Sequence, residues 1–211
     1  MTAAAERLTL VGRSSSHFTR VTRIFASELG VPYSFEILRD MQSRKPEDYA
    51  GNPALKLPAL QSPRGVWFGA LHICRELARC SDRNVKIVWP EALDGPLPAN
   101  AQELVLQAMT TEVGLIMGKA AGNPDDHPHH VKMRESLTRS LSWLESNAQG
   151  ALAALPAQRE LSYLEVTLFC LLTHLPFREI LPTSGYANLS AFCRQFAGRP
   201  SAVATAYRFD T

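Results

Sequence analysis

Residues 50–79, AGNPALKLPALQSPRGVWFGALHICRELAR, decide the fold. Asn52-Pro53 makes a turn, and Leu57-Pro58 leads into a short apolar strand, Ala59-Leu60-Gln61. Ser62-Pro63-Arg64-Gly65 has proline second and glycine fourth, which is the composition of a tight turn. Val66-Trp67-Phe68 is a second strand. It runs directly into a helical pattern, Leu71, Cys74, Leu77 and Ala78.

Toward the N-terminus, Arg7 to Val11 form a short β-branched and apolar run, a first strand. Gly12-Arg13-Ser14-Ser15-Ser16 is a polar loop. Phe18, Val21, Ile24, Phe25 and Leu29 then recur at helical spacing, and Gly30 followed by Pro32 ends that helix. Residues 33–38 alternate and read as a second strand. Strand, helix, strand at this spacing implies a right-handed crossover and a parallel pair. With the hairpin and its helix, the order is β-α-β, a variable loop, then β-β-α, ending near Cys80.

Toward the C-terminus, residues 81–100 are rich in Pro, Asp and Asn and read as a linker. Residues 101–121 carry Leu104, Val105, Ala108, Met109, Val113, Ile116 and Met117 at helical spacing. Residues 129–148 form another helix. Ser162 and Glu165 make a capping box, with Leu161 and Val166 as its hydrophobic staple. The helix after it is apolar nearly all round and is expected at a domain centre. Two short helices are expected at 187–198 and 201–207. The whole is an α/β N-terminal domain, 1–80, a linker, 81–100, and an all-α C-terminal domain, 101–211.

Composition narrows the function classes. The 211 residues are 45% hydrophobic and 20% charged, with a net charge of +2 dispersed along the chain. That gives no basis for a nucleic-acid or membrane partner. MTAAAERLTL has no apolar run of signal-peptide length, and Leu161 to Leu175 is too short to span a bilayer. Cys74, Cys80, Cys170 and Cys193 lack metal or redox spacing and read as reduced thiols of a cytoplasmic protein. His127-Pro128-His129-His130 reads as a polar helix start, and no metal site is expected.

Residues 52–73 resemble the glutathione S-transferase family, whose pattern is roughly Asn-Pro-x-x-Lys-Val-Pro-x-Leu, a hairpin, then acid-Ser-x-x-Ile. Asn52, Pro53, Lys56, Leu57, Pro58, Leu60 and Ile73 are in register. In the C-terminal half Ser162, Glu165, Tyr186, Asn188, Leu189, Arg199, Pro200 and Ser201 also match, so the resemblance covers almost the whole chain. The Trp89-Pro90 linker and the lack of a long extension resemble bacterial members. The resemblance implies a thioredoxin-like domain followed by a helical domain, with glutathione as co-substrate, and a cytoplasmic homodimer acting in detoxification.

It also assigns residues. A glutathione enzyme must lower the pKa of a thiol that is only a few per cent ionised at neutral pH, its free pKa being about 8.5. A hydroxyl aimed at the sulfur beside the positive end of a helix does so. Ser16, in Ser16-His17-Phe18-Thr19-Arg20, matches the family's sulfur-contacting position, with Ser15 and Ser14 behind it. Ser16 is equally well placed as a plain helix N-cap. The family's binding positions fall on Phe18, Lys56, Leu57, Pro58, Gly69 and Ala70. Leu57-Pro58 would be cis, its backbone pairing with the cysteinyl part. Lys56 would lie near the glycyl carboxylate or be simply solvated. Met109, Glu112 and Met117 would line the second-substrate pocket or pack the core.

One departure stands out. Where the family has acid-Ser, which grips the γ-glutamyl end, this chain has Gly69-Ala70. Two readings follow. One is an enzyme in which the thiolate, held by Ser16, attacks a small electrophile bound between the two domains. The other is a binding or scaffold protein that kept the fold and lost glutathione. A disulfide reductase is disfavoured, since no Cys lies in residues 12–18.

Overall fold

The computed structural model describes residues 8–210, so Arg7, at the head of the expected first strand, lies outside the described residues. The described residues divide into two compact units, 8–85 with 199–210, and 86–198.

The first unit holds a four-stranded sheet of order β2-β1-β3-β4, formed by β1 (Thr9–Gly12), β2 (Ser34–Ile37), β3 (Ala59–Ser62) and β4 (Gly65–Phe68). β1 and β2 are parallel, β3 is antiparallel to both β1 and β4, and Leu10 faces Phe35 on one side and Leu60 on the other. This is the expected β-α-β then β-β-α order of a thioredoxin-like domain. α1 (His17–Leu29) buries Val21, Ile24, Phe25 and Leu29, and α2 (Ala70–Cys80) buries Cys74 and Leu77, as their helical spacing implies, while Phe18, Leu71 and Ala78 from the same spacing are half-buried and Ile73 is buried as well. Gly30 closes α1 at φ 66°, where its N–H reaches back to Ala26 and Ser27. The chain returns to this unit at its end, where the short helix α7 (Pro200–Ala204) packs on α1. Residues 199–210 thus belong to the first unit rather than to the helical domain expected for them.

The second unit contains α3 (Pro96–Ala120), α4 (Pro128–Ala153), α5 (Tyr163–Phe177) and α6 (Ala187–Ala197). α5 is its centre. Leu164, Val166, Leu168, Phe169, Leu171, Leu172 and Leu175 are all buried, so the helix has no polar face, as its sequence required. Gly114 and Gly118 let α4 approach α3 closely. A Cβ on Gly114 would stand 2.3 Å from Met133 Cε, and one on Gly118 would stand 2.1 Å from His130 Nε2.

Two expectations need correction. The stretch 81–100 is not all linker: β5 (Ile87–Val88) pairs in parallel with β6 (Leu161–Ser162), and α3 already begins at Pro96, a residue pre-set for a first helical turn. The capping box of α5 is half made. Ser162 Oγ accepts from Glu165 N, but the Glu165 carboxylate turns to Arg159, which donates from Nε at 2.9 Å and Nη2 at 2.8 Å. A charged bidentate pair outcompetes a single backbone bond. The α6 helix has no side-chain cap of its own; Glu145 on α4 supplies it, accepting from Asn188 N at 2.9 Å and Leu189 N at 3.0 Å.

Candidate functional site

Strand register gathers the expected site residues of the first unit at one end of the sheet. Val11 faces Ala59, and Ala59 faces Phe68 on its other side. The segments just beyond these three residues are Gly12–Ser16, Leu57-Pro58 and Gly69-Ala70. Each lies next to a helix N-terminus or a strand start, so backbone N–H groups and two helix dipoles collect at this edge.

The first segment is built from the close approach of α1 to β1. A Cβ on Gly12 would lie 2.5 Å from Thr19 Cγ2, so only glycine admits the buried Thr19 there. Arg13 pins the loop by donating to the carbonyls of Leu38 and Arg39 at 3.3 and 3.2 Å. Ser16 is the N-cap of α1: its Oγ accepts from Thr19 N at 3.3 Å. A hydroxyl that accepts still carries a proton to donate, so capping leaves the donor role open. Ser14 and Ser15 are buried, whereas Ser16 and Phe18 are half-buried.

The second segment is shaped by Asn52, whose sequence context shows a turn and a match to the family pattern but not the bonds it makes. Its side chain is buried; Nδ2 donates to Lys56 O at 2.8 Å and Oδ1 accepts from Ala54 N at 3.0 Å. These bonds close the loop that delivers the Leu57-Pro58 peptide, which is cis. Leu57 packs on Val11, Ala50 and Ala59, and the Lys56 side chain is exposed.

The third segment offers backbone only. Gly69 is the N-cap of α2 at φ 79°, ψ 139°, with no side chain to cap the helix and open space around its Cβ position. That backbone region excludes most side chains at modest energy. Glycine here relieves strain and leaves Ala70 to present the helix start.

In the second unit the three expected pocket residues separate. Met109 is fully buried. Glu112 is fully buried and hydrogen-bonded to His174 Nδ1 at 2.8 Å, while Met117 is 44% exposed. An open groove of about 440 Å³ on this unit, lined by Leu104, Gln107, Lys132, Glu135, Arg139 and Trp143 among others, contains none of the expected site residues. All four cysteines are free thiols. Cys80 is pushed up from its ordinary pKa by burial of its thiol and then by Glu76, against the opposing pull of Arg64 and Arg79, so it is no activated thiolate. Among the described residues no helix is long and apolar enough to cross a membrane.

Comparison with known proteins gives the class. Residues 15–80 match the family model described as glutathione S-transferase, N-terminal domain. The chain is similar to the crystal structure of a glutathione transferase family member from Pseudomonas fluorescens Pf-5 with bound glutathione, at 22% identity and TM-score 0.78, covering 95% of this chain and 99% of that one. It is also similar to a glutathione S-transferase from Methylobacillus flagellatus KT with glutathione bound, at 18% identity and TM-score 0.74, covering 95% and 100%. No curated protein sequence matches. The chain has the glutathione transferase fold, and its residues 15–80 match the N-terminal domain of that family.

Proposed function

We propose that the protein is a glutathione-dependent transferase whose sulfur site is the N-terminal end of α1. The observation that carries this reading is the convergence, through the Val11–Ala59–Phe68 register, of the Ser16 cap, the cis Leu57-Pro58 peptide and the start of α2. Two fold relatives are glutathione complexes, which supports the same choice of ligand. Glutathione's cysteinyl backbone pairs with Leu57 and its γ-glutamyl carboxylate meets the Ala70 N–H. Its sulfur receives the Ser16 hydroxyl proton as a hydrogen bond. The thiol proton leaves to solvent. The thiolate pair then forms a carbon–sulfur bond as the electrophile's leaving group departs with its electrons. The active form is a cytoplasmic homodimer.

A second reading, a binding protein without glutathione chemistry, is favoured by Gly69-Ala70. Loss of a charge-assisted bond removes about 1.5–3 kcal/mol, some one to two orders of magnitude in affinity. Calorimetric titration with reduced glutathione separates the two. The transferase reading expects a dissociation constant from micromolar to low millimolar, tightened about tenfold or less by Ala70→Ser, which restores one neutral donor. No heat from either protein, and no thermal shift at millimolar glutathione, would leave the binding-protein reading.

A further inference from the structure

The last described residues of the chain run back along α1 and end on the loop that carries Ser16. The path is antiparallel and anchored at three levels. At the far end of α1, Glu28 pairs with Arg199 at 3.2 Å and accepts from Ser201 Oγ. In the middle, the buried Arg20 donates to Ala202 O at 3.0 Å and to Thr205 Oγ1 at 3.5 Å, and its guanidinium lies 4.3 Å over the Tyr207 ring. At the loop, Asp210 Oδ2 accepts from Ser14 N at 2.8 Å.

The last contact has an unusual polar balance. Ser14 is 1% exposed, and both its Oγ and Asp210 Oδ1 are buried without a hydrogen-bond partner. Buried polar atoms in folded proteins are nearly always paired, and exceptions concentrate where function holds them. α1 has no acidic side chain in its first turn, and the carboxylate that bonds the loop before it comes from a residue 196 positions away. A carboxylate here acts twice. It fixes the backbone of the loop two residues before Ser16, and it places a fixed charge beside the helix end where an anion is favoured.

We propose that Asp210 is a positioning residue of the sulfur site: its carboxylate clamps the Ser14–Ser16 loop through the Ser14 N–H, so that the chain's return along α1 sets the donor geometry. The proposal rests on the glutathione reading above for the identity of the sulfur. Asp210 does not touch substrate. It acts through the loop, and its charge opposes thiolate formation, since a nearby like charge raises a thiol's pKa.

The test uses the full chain with Asp210→Ala, which removes the acceptor, and Asp210→Asn, which keeps an acceptor oxygen and removes the charge. Three quantities are read: hydrogen exchange at the Ser14 amide without ligand, calorimetric affinity for glutathione, and the ultraviolet thiolate titration of the bound tripeptide. Exchange at Ser14 is expected to quicken at least about tenfold in Asp210→Ala, with affinity falling about tenfold, the loss of one charged bond. Asp210→Asn is expected to keep most of the protection and to shift the thiolate titration to lower pH. Unchanged Ser14 exchange in Asp210→Ala overturns the proposal. So does faster exchange with affinity and titration unmoved in both variants, because that is a purely structural contact. Wild-type protein that binds no glutathione defeats the functional reading and this one with it, whereas intact wild-type binding with unmoved variants defeats this one alone.

Discussion

Ser16 shows how one side chain can hold two jobs that compete in interpretation but not in chemistry. Its Oγ lone pair takes the Thr19 N–H, and its proton stays available. Ser16→Ala should therefore cost about 0.5–2 kcal/mol in urea unfolding, and Ser16→Gly only a few tenths, because glycine tolerates the cap position. Both variants lack the hydroxyl. If glutathione turnover falls equally in both while stability differs, the hydroxyl is the thiolate donor; turnover that follows stability instead makes Ser16 a cap alone. At this scale the sequence was readable where bonds are local. The Ser16 and Ser162 caps both sit three residues from their partners. Asp210 on Ser14 and Glu145 on the start of α6 were not readable, because neither contact has a local signature and each is created by tertiary packing. Met109 and Glu112 on α3 could not be told from pocket residues for a related reason. Spacing shows which face a residue shares, but not what covers that face.

Among the elements, α3 and α4 illustrate what a helical period leaves out. Both helices were visible from their apolar spacing, but the closeness of their packing depends on Gly114 and Gly118, which the period treats as gaps. The two glycines face different neighbours. Gly114 faces the flexible tip of Met133, and Gly118 faces the ring of the buried His130. Alanine gains up to about 1 kcal/mol over glycine inside a helix. At 114 the methionine can swing aside, so Gly114→Ala should be neutral within about 1 kcal/mol. At 118 a rigid ring must move, and overpacking of that kind costs about 1–3 kcal/mol. Chemical denaturation should therefore rank Gly118→Ala below wild type and below Gly114→Ala. Equal stabilities for the two variants would mean that the helices separate freely and that the close approach has no energetic weight.

At the scale of the molecule, chain order and spatial order differ. Composition shifts after Cys80, whereas the first compact unit runs on to Val85. Nothing in composition marked the return at Arg199, because Arg199-Pro200-Ser201 reads as one more helix start. The reason for the return lies in Arg20. It is 5% exposed, a charged side chain buried on α1, and it is met by the Ala202 carbonyl, Thr205 and the Tyr207 ring. A buried guanidinium without such partners is costly, at about 1–3 kcal/mol or more for each donor left unpaired. Residues 8–85 alone therefore make an incomplete unit. A chain ending at Gly198 should keep slow hydrogen exchange in α5, whose buried face belongs to the contiguous 86–198 unit, and lose protection in α1 by about tenfold or more, the equivalent of one lost charged bond. Arg20→Met in the same shortened chain removes the stranded charge while keeping an apolar stem, and should restore part of that protection. If α1 exchanges equally slowly in the full and shortened chains, Arg20 finds other partners and the return of the chain is not what holds the helix; if Arg20→Met gives no recovery, the loss comes from the packing of α7 rather than from the buried charge.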